Sequence, residues 1–345
     1  MIELNIDGKT VTAKEGETLL EVATDNQIRI PTLCYHKKLS PIGSCRVCMV
    51  EVQGARKPMP ACQTLAVDGM VVRTNTEDLH ELRRTAIQLM LLNHKMDCLV
   101  CPKSGDCALQ DLAYEYGVDG HGFGDISVEL KVGPYATPLI QYHPERCIMC
   151  GRCTRACREV KGIDALSINL RGSYAHIKGN QAICISCGEC LHLCPVGALT
   201  QNVTHTPFRT HKMKKVRTTC PYCGVGCQLE LNVADGKVVE ITTNDDIGPN
   251  KGSLCVKGRF GFDFIHHRDR ITRPLIKENG RFEEVSWEEA WNFAADNLKR
   301  IKEDHGGDSI MGLTSARCTN EENYLFQKFM RAVIGTNNVD HCARL

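Results

Sequence analysis

The chain has 345 residues, with 42% apolar and 24% charged side chains and a formal charge of +1. That length predicts two to three domains at about 150 residues each, and the composition excludes a disordered or low-complexity protein. The near-zero charge gives no sign of a nucleic-acid partner. The abnormal quantity is 21 cysteines. Met1-Ile2-Glu3-Leu4-Asn5 shows no basic-then-apolar signal pattern, Arg83-Arg84 lies mid-chain, and the longest strongly apolar run, Leu89 to Leu92, is far short of a membrane span. The expectation is a cytoplasmic protein with no membrane span. In a reducing compartment so many thiols hold metal rather than disulfides. Ligating thiols are deprotonated, so the metal-loaded chain is expected near −8, roughly, rather than +1.

In chain order, Ile2, Leu4 and Ile6 alternate, Asp7-Gly8 signals a hairpin, and Val11 opens a second strand. Thr18 to Asn26 reads as a short helix, and Met49 to Val52 and Met70 to Arg73 as further strands. A helix is expected over Glu77 to Asn93, with Leu79, Leu82, Ala86, Leu89 and Met90 on one face. Two similar cysteine runs fill residues 144–200, an internal repeat too short for a solenoid. Gln201 to Thr218 is polar and basic and reads as a linker. Gln228 to Val233 and Lys237 to Thr243 flank Asp235-Gly236, a second hairpin. Ser286-x-x-Glu289 caps a helix that stops near Gly306-Gly307, Ser309 to Thr314 reads as a buried-type strand, and Thr319-x-x-Glu322 caps a helix ending at Gly335. This alternation opens an α/β layer but shows no following strand, so the last module reads as incomplete.

The cysteines fall into sets. Cys34, Cys45, Cys48 and Cys62 sit on loops of the small β-rich fold and suit a 2Fe–2S cluster, a closed zinc site being the alternative. Cys98, Cys101 and Cys107 offer three thiols, and His94, four residues earlier, is the candidate fourth ligand of a 4Fe–4S cluster; the bland reading is a histidine whose charge suits a helix end. Cys147, Cys150, Cys153 and Cys157, then Cys184, Cys187, Cys190 and Cys194 with Pro195, follow the bacterial two-cluster ferredoxin spacing, in which each fourth cysteine serves the other cluster. One cluster then takes Cys147, Cys150, Cys153 and Cys194, and the other Cys184, Cys187, Cys190 and Cys157. Cys220, Cys223, Cys227 and Cys255 form a further four-thiol set, for which zinc also stays open. Cys318 and Cys342 remain and are expected to be free, buried thiols. Gly224-x-Gly226 lacks the third glycine of a dinucleotide loop, and Asn202-Val203-Thr204 is a glycosylation sequon without a secretory route.

Through about residue 200 these motifs resemble the N-terminal part of the large iron–sulfur subunit of complex I and of iron-only hydrogenases. The Cys220 to Cys255 set with Val256-Lys257-Gly258 resembles the first module of molybdopterin-dependent oxidoreductases. Ser315-Ala316-Arg317-Cys318-Thr319-Asn320-Glu321-Glu322 and Gly335-Thr336-Asn337-Asn338-Val339-Asp340-His341-Cys342-Ala343-Arg344 closely resemble cytoplasmic formate dehydrogenases.

The resemblance implies a multidomain α+β chain: a β-grasp 2Fe–2S ferredoxin domain (1–77), a helical His/Cys 4Fe–4S module (78–118), a two-4Fe–4S ferredoxin domain (138–207), a 4Fe–4S module (213–269) and the incomplete beginning of a molybdopterin oxidoreductase α/β domain (270–345). It implies one 2Fe–2S and four 4Fe–4S clusters and, in the complete subunit, molybdenum or tungsten held by two molybdopterin guanine dinucleotides. Formate is then oxidised to CO2, or the reverse, with electrons passed to NAD(P)-reducing flavin and iron–sulfur subunits, a ferredoxin or a hydrogenase. Lys257 is implied as an electron relay between the nearest 4Fe–4S cluster and the pterin; an ordinary solvated lysine is the other reading. The catalytic selenocysteine or cysteine is implied directly after Leu345, so no catalytic ligand is expected within these residues. The runner-up is a non-catalytic electron carrier of a complex I-like or hydrogenase–diaphorase assembly.

Overall fold

The computed structural model describes residues 2–123, 137–202 and 208–342. The chain divides into two compact units, 1–213 and 214–345.

In the first unit, strand β1 (Ile2–Ile6) turns at Asp7-Gly8, both at positive φ, into β2 (Lys9–Ala13). Helix α1 (Leu19–Asp25) opens on a capping box in which the Thr18 side chain accepts from the Glu21 amide and the Glu21 carboxylate accepts from the Thr18 amide. Strands β3 (Met49–Val52), β4 (Met59–Pro60) and β5 (Val71–Arg73) complete a five-stranded sheet of order β2-β1-β5-β3-β4. β1 and β5 run parallel and the other pairs antiparallel. One side of β1 and β2, α1 and the loop before β3 enclose a core containing Leu4, Ile6, Leu19, Val22 and Val50.

Helix α2 (Glu77–Leu91) ends two residues earlier than its apolar pattern predicts, and it turns a different face inward. Leu79, Arg83, Ile87 and Leu91 are buried, while Leu82, Ala86 and Met90 are half-buried and Leu89 is 55% exposed. The inward stripe contains an arginine because three main-chain carbonyls wait for it: those of Val47 and Met49 at 3.1 and 2.8 Å and of Thr74 at 2.8 Å. A count of apolar positions places such a residue outside. Helix α3 (Ala108–Glu115) follows.

The segment from residue 137 is made of short pieces. These are β6 (Ile140–Tyr142), α4 (Arg152–Arg155), β7 (Leu166–Asn169), β8 (His176–Gly179), α5 (Glu189–His192) and β9 (Leu199–Gln201). β6 pairs with β9 and β7 with β8, both antiparallel. The sequence repeat is also a backbone repeat. Met149 and Gly151 in the first run, and Ser186 and Gly188 in the second, are all left-handed and lead into α4 and α5.

The second unit begins with β10 (Lys214–Thr219), antiparallel to β11 (Gln228–Ala234), which pairs with β12 (Lys237–Thr242). β10 corrects the linker expected over Gln201 to Thr218. It is an edge strand exposed at every position, and an edge strand protected by lysine and arginine has a linker's composition. Val203 and Thr204 of the sequon lie outside the described residues. Helix α6 (Val256–Phe260) precedes the hairpin β13 (Leu275–Glu278) and β14 (Arg281–Glu284). Helix α7 (Trp287–His305) has the Ser286–Glu289 capping box and ends at Gly306.

The next strand, β15 (Gly312–Thr314), is shorter than predicted and only partly buried, Gly312 being buried and Leu313 71% exposed; Gly307–Ser309 is a 3-10 turn instead. Helix α8 (Asn320–Phe329) has the Thr319–Glu322 capping box and continues as a wider turn to Gly335 at φ +87°. The strand missing from the sequence pattern exists. β16 (Val339–His341) pairs parallel with β15, so β15, α8 and β16 form a β–α–β unit. Three residues that include Asp340 and His341 give no apolar run to find.

Candidate metal centres

Cys34, Cys45 and Cys48 lie on the loop between α1 and β3, Cys62 just beyond β4, and all four are buried. The Cys45 amide points at Cys34 Sγ, 3.4 Å away. The thiols pair. Cys34 donates to Cys45, which lowers Cys45 to about 5 against the opposing effect of burial, and Cys48 donates to Cys62, which lowers Cys62. The charges of Cys34 and Cys45 also reach Cys62, so the four sulfurs share one electrostatic site. Arg83 holds the carbonyls of Val47, between Cys45 and Cys48, and of Met49, just after Cys48.

His94, Cys98 and Cys107 line one cavity of about 510 Å³. The charges of Cys101 and Cys98 reach Cys107, whose thiol is raised mainly by burial. Burial also holds the His94 imidazole below its ordinary range, which favours the neutral, ligating form. His94 Nδ1 is buried with no hydrogen-bond partner. A buried lone pair left unpaired costs about 1–3 kcal/mol, and an iron in the adjoining cavity removes that cost. This fits histidine ligation better than a solvated helix-end histidine. Gly197 stands against Cys101, which is outside the cavity lining: a Cβ there would stand 2.5 Å from Cys101 Sγ.

The two ferredoxin-like runs assemble crosswise. Cys153 is raised well above the usual thiol range by burial, then by the charges of Cys150, Cys147 and Cys194. Cys190 is raised by burial, then by Cys187, Cys184 and Cys157. The fourth cysteine of each run therefore faces the first three of the other. Burial pushes Cys150 up to about 12, so its metal-free thiol stays protonated at neutral pH and iron must displace that proton. Main-chain amides aim at the sulfurs, Met149 at Cys147 from 3.4 Å and Ala165 at Cys157 from 3.2 Å. Such donors stabilise a thiolate shell.

In the second unit, Cys227 is raised by burial and then by Cys220, Cys223 and Cys255, so this set also converges. The Cys220 amide donates to the Cys227 carbonyl at 2.8 Å, closing the loop that carries three of the four. Lys257 is exposed on α6, two residues beyond Cys255. Cys318 is half-buried and Cys342 exposed, which corrects the expectation of buried free thiols. The Cys342 sulfur lies 3.3 Å from Ser315 Oγ, and its thiol is lowered by that hydroxyl first. A cavity of about 490 Å³ opens beside the carboxyl ends of β15 and β16, lined by residues that include Ser315, Asn323, Arg331, Asp340 and His341. The end of a parallel β–α–β unit is where such folds place ligands. Ala343, Arg344 and Leu345 lie outside the described residues.

Five family models match along the chain. Residues 1–77 match the 2Fe-2S iron-sulfur cluster binding domain, 83–121 the NADH-ubiquinone oxidoreductase-G iron-sulfur binding region, and 137–200 the ferredoxin-like domain of NADH-quinone oxidoreductase subunit 3. Residues 213–267 match the molybdopterin oxidoreductase Fe4S4 domain and 270–345 the molybdopterin oxidoreductase family. A chain in the crystal structure of an NAD+-reducing NiFe-hydrogenase in the H2-reduced state is 30% identical, with a TM-score of 0.56 over 60% of this chain and 90% of that one. The chain belongs to the family that joins a complex I-type iron–sulfur region to a molybdopterin oxidoreductase domain.

Relatives of this iron–sulfur and molybdopterin family carry different names. The NADPH-Fe(3+) oxidoreductase subunit alpha of Geobacter sulfurreducens is 41% identical over the whole chain, as is a G-type NADH-quinone oxidoreductase subunit of Rhizobium meliloti. A Staphylococcus aureus protein provisionally named a formate dehydrogenase is 32% identical over 99% of the chain. The chain spans 40% of the length of the first two and 39% of the third. Among the described residues no helix is long and apolar enough to cross a membrane.

Proposed function

We propose that this chain is the iron–sulfur portion of a formate dehydrogenase catalytic subunit. The observation that carries this reading is the meeting of its two formate dehydrogenase-like segments: β15 leads into Ser315, β16 into Cys342, the strands pair in parallel, and the two side chains lie 3.3 Å apart beside the 490 Å³ cavity. Cys34, Cys45, Cys48 and Cys62 would hold a 2Fe–2S cluster. His94 with Cys98, Cys101 and Cys107, the two crossed sets, and Cys220, Cys223, Cys227 and Cys255 would each hold a 4Fe–4S cluster. When bound, these clusters supply one-electron chemistry, and a molybdenum or tungsten bis-pterin site supplies the two-electron conversion of formate to CO2 and a proton. The residues of this chain bury the first thiol set, aim amides at sulfurs such as Cys34, Cys147 and Cys157, and keep His94 neutral. Lys257, exposed beside Cys255, is placed on this reading as the relay toward the pterin.

The second reading, an electron carrier in an NAD(P)H-linked assembly, is favoured by the 41% identity to subunits so named. The full-length subunit, purified anaerobically with its metal, separates the two. Formate alone should bleach its iron–sulfur absorption, and the present residues should carry about eighteen irons. No bleaching by formate, with reduction only through an NAD(P)H-oxidising partner, overturns the first reading in favour of the second. Stoichiometric zinc with iron near ten or below, roughly, overturns both.

A further inference from the structure

One buried side chain joins the backbones of two different thiol sets. Arg155 is 8% exposed, and its Nη2 lies 2.7 Å from the carbonyl of Cys34 and 3.3 Å from the carbonyl of Cys150. Cys34 belongs to the first set and Cys150 to the crossed set of Cys147, Cys153 and Cys194. Arg155 Nε donates to the Gly151 carbonyl at 3.1 Å, and its Nη1 to the carbonyl of Ser40. The loop after Cys34 is also held by other residues of the same helical segment. Arg152 donates to the Tyr35 carbonyl, and the Ser40 amide and hydroxyl both bond Glu159 Oε2 at 2.7 and 3.0 Å. Leu39 is buried against Ala156 and Leu193.

A carbonyl at the bottom of a groove needs only one donor, and a lysine or a water can supply it. The planar guanidinium instead spreads its donors over four carbonyls, two of which belong to ligands of different centres. Its charge is permanent at any pH the protein meets, and it sits beside two sites that each gain a negative charge on reduction.

We infer that Arg155 is a positioning residue for electron exchange between the two-iron site at Cys34, Cys45, Cys48 and Cys62 and the four-iron site at Cys147, Cys150, Cys153 and Cys194, its guanidinium being the hydrogen-bonded link between their ligand backbones. This rests on the iron–sulfur reading of both sites. In the step, one electron leaves the reduced centre, which is oxidised, and reduces the other. No bond breaks, and no proton moves, because the guanidinium stays cationic throughout. The link runs from Cys34 Sγ through its own main chain to the carbonyl, across Arg155 Nη2, to the Cys150 carbonyl and so to Cys150 Sγ.

The test uses the whole chain, purified anaerobically with its iron, as wild type, Arg155→Met and Arg155→Lys. Four quantities are read: iron content, midpoint potentials by electron paramagnetic resonance, the magnetic interaction between the two reduced centres, and the rate at which they equilibrate after flash photoreduction. Arg155→Met should keep its iron and the magnetic interaction, lower both potentials together through loss of the cation, and slow equilibration severalfold. Arg155→Lys should restore the potentials while leaving equilibration slow. An unchanged rate in an iron-replete variant overturns the inference. So does a slowed rate with an altered magnetic interaction, which would make Arg155 a brace that sets the distance. If Arg155→Met loses iron, Arg155→Lys decides on the same two criteria. A wild-type chain with no two-iron signal overturns the iron–sulfur reading itself, whatever the variants do.

Discussion

His94 and Gly197 show how single residues set the properties of one centre. On the proposed ligation, the imidazole of His94 is neutral where a fourth cysteine would bring a thiolate, so the oxidised His94 site would carry about one negative charge fewer than a four-thiolate site. Less negative charge favours adding an electron. His94→Cys should therefore lower this cluster's midpoint potential with iron content unchanged, and His94→Ala should make the cluster labile. A redox titration followed by electron paramagnetic resonance reads both; unchanged signals and potentials in His94→Ala would remove His94 from the ligand set. Gly197 acts by having no side chain. A Cβ would stand 2.5 Å from Cys101 Sγ and 3.4 Å from Lys103 Cβ. A free cysteine could rotate away, but a sulfur bonded to iron cannot. Gly197→Ala should thus reduce iron retention at the His94 site, measured as iron per chain and as loss of that site's signal, and full retention would show that this contact can give.

At the scale of elements, α2 couples the loop that carries Cys45 and Cys48 to the sheet. Arg83 satisfies carbonyls from the Cys45–Cys48 turn, from β3 and from the residue after β5. Arg83→Met leaves three buried carbonyls without this donor, at about 1–3 kcal/mol each, so the module should lose about 3 kcal/mol or more. Denaturant melting followed at the two-iron absorption should show a clearly lower midpoint, and a midpoint within error of wild type would mean that water replaces the guanidinium. The same helix shows what the sequence could and could not display. Its existence and its Thr76 start were legible because apolar spacing and a capping residue are local signals. Its inward face was not, because Arg83 is buried by partners 9 to 36 residues away in the chain. The Cys-x2-Cys pairs within the five candidate sets were legible from spacing, since cysteines with two residues between them share a turn. β10 and β16 were invisible for the opposite reason: runs of three to six mostly polar residues become strands only through the neighbour they pair with. The link through Arg155 was hidden likewise, its partners Cys34 and Ser40 lying 121 and 115 residues away.

Across the first unit, both segments bury apolar side chains. The five-stranded sheet and α1 enclose a cluster of fifteen buried residues, and the ferredoxin-like segment buries Ile140, Tyr142, Leu166, Ile177, Val196 and Leu199 among others. The secondary structure there consists of strands of three or four residues and α-helices of four, too short to persist unaided. Thiols share that interior: Cys150, Cys153 and Cys194 are all buried. Where ligand atoms fill part of an interior and the elements around them are this short, metal binding free energy adds to folding free energy. Anaerobic chelation or oxidation of the clusters should therefore unfold residues 137–200 while the sheet of residues 2–73 keeps its structure. Hydrogen exchange read by mass spectrometry, before and after iron removal, measures this directly. Amides of β6 to β9 should lose their protection on iron removal, and those of β1, β2 and α1 should keep most of theirs. Equal loss in both segments would show that Arg155, Glu159 and Leu39 bind the modules into one cooperative unit. Equal retention would show that the short elements hold together without metal, and that the buried thiols contribute nothing to folding.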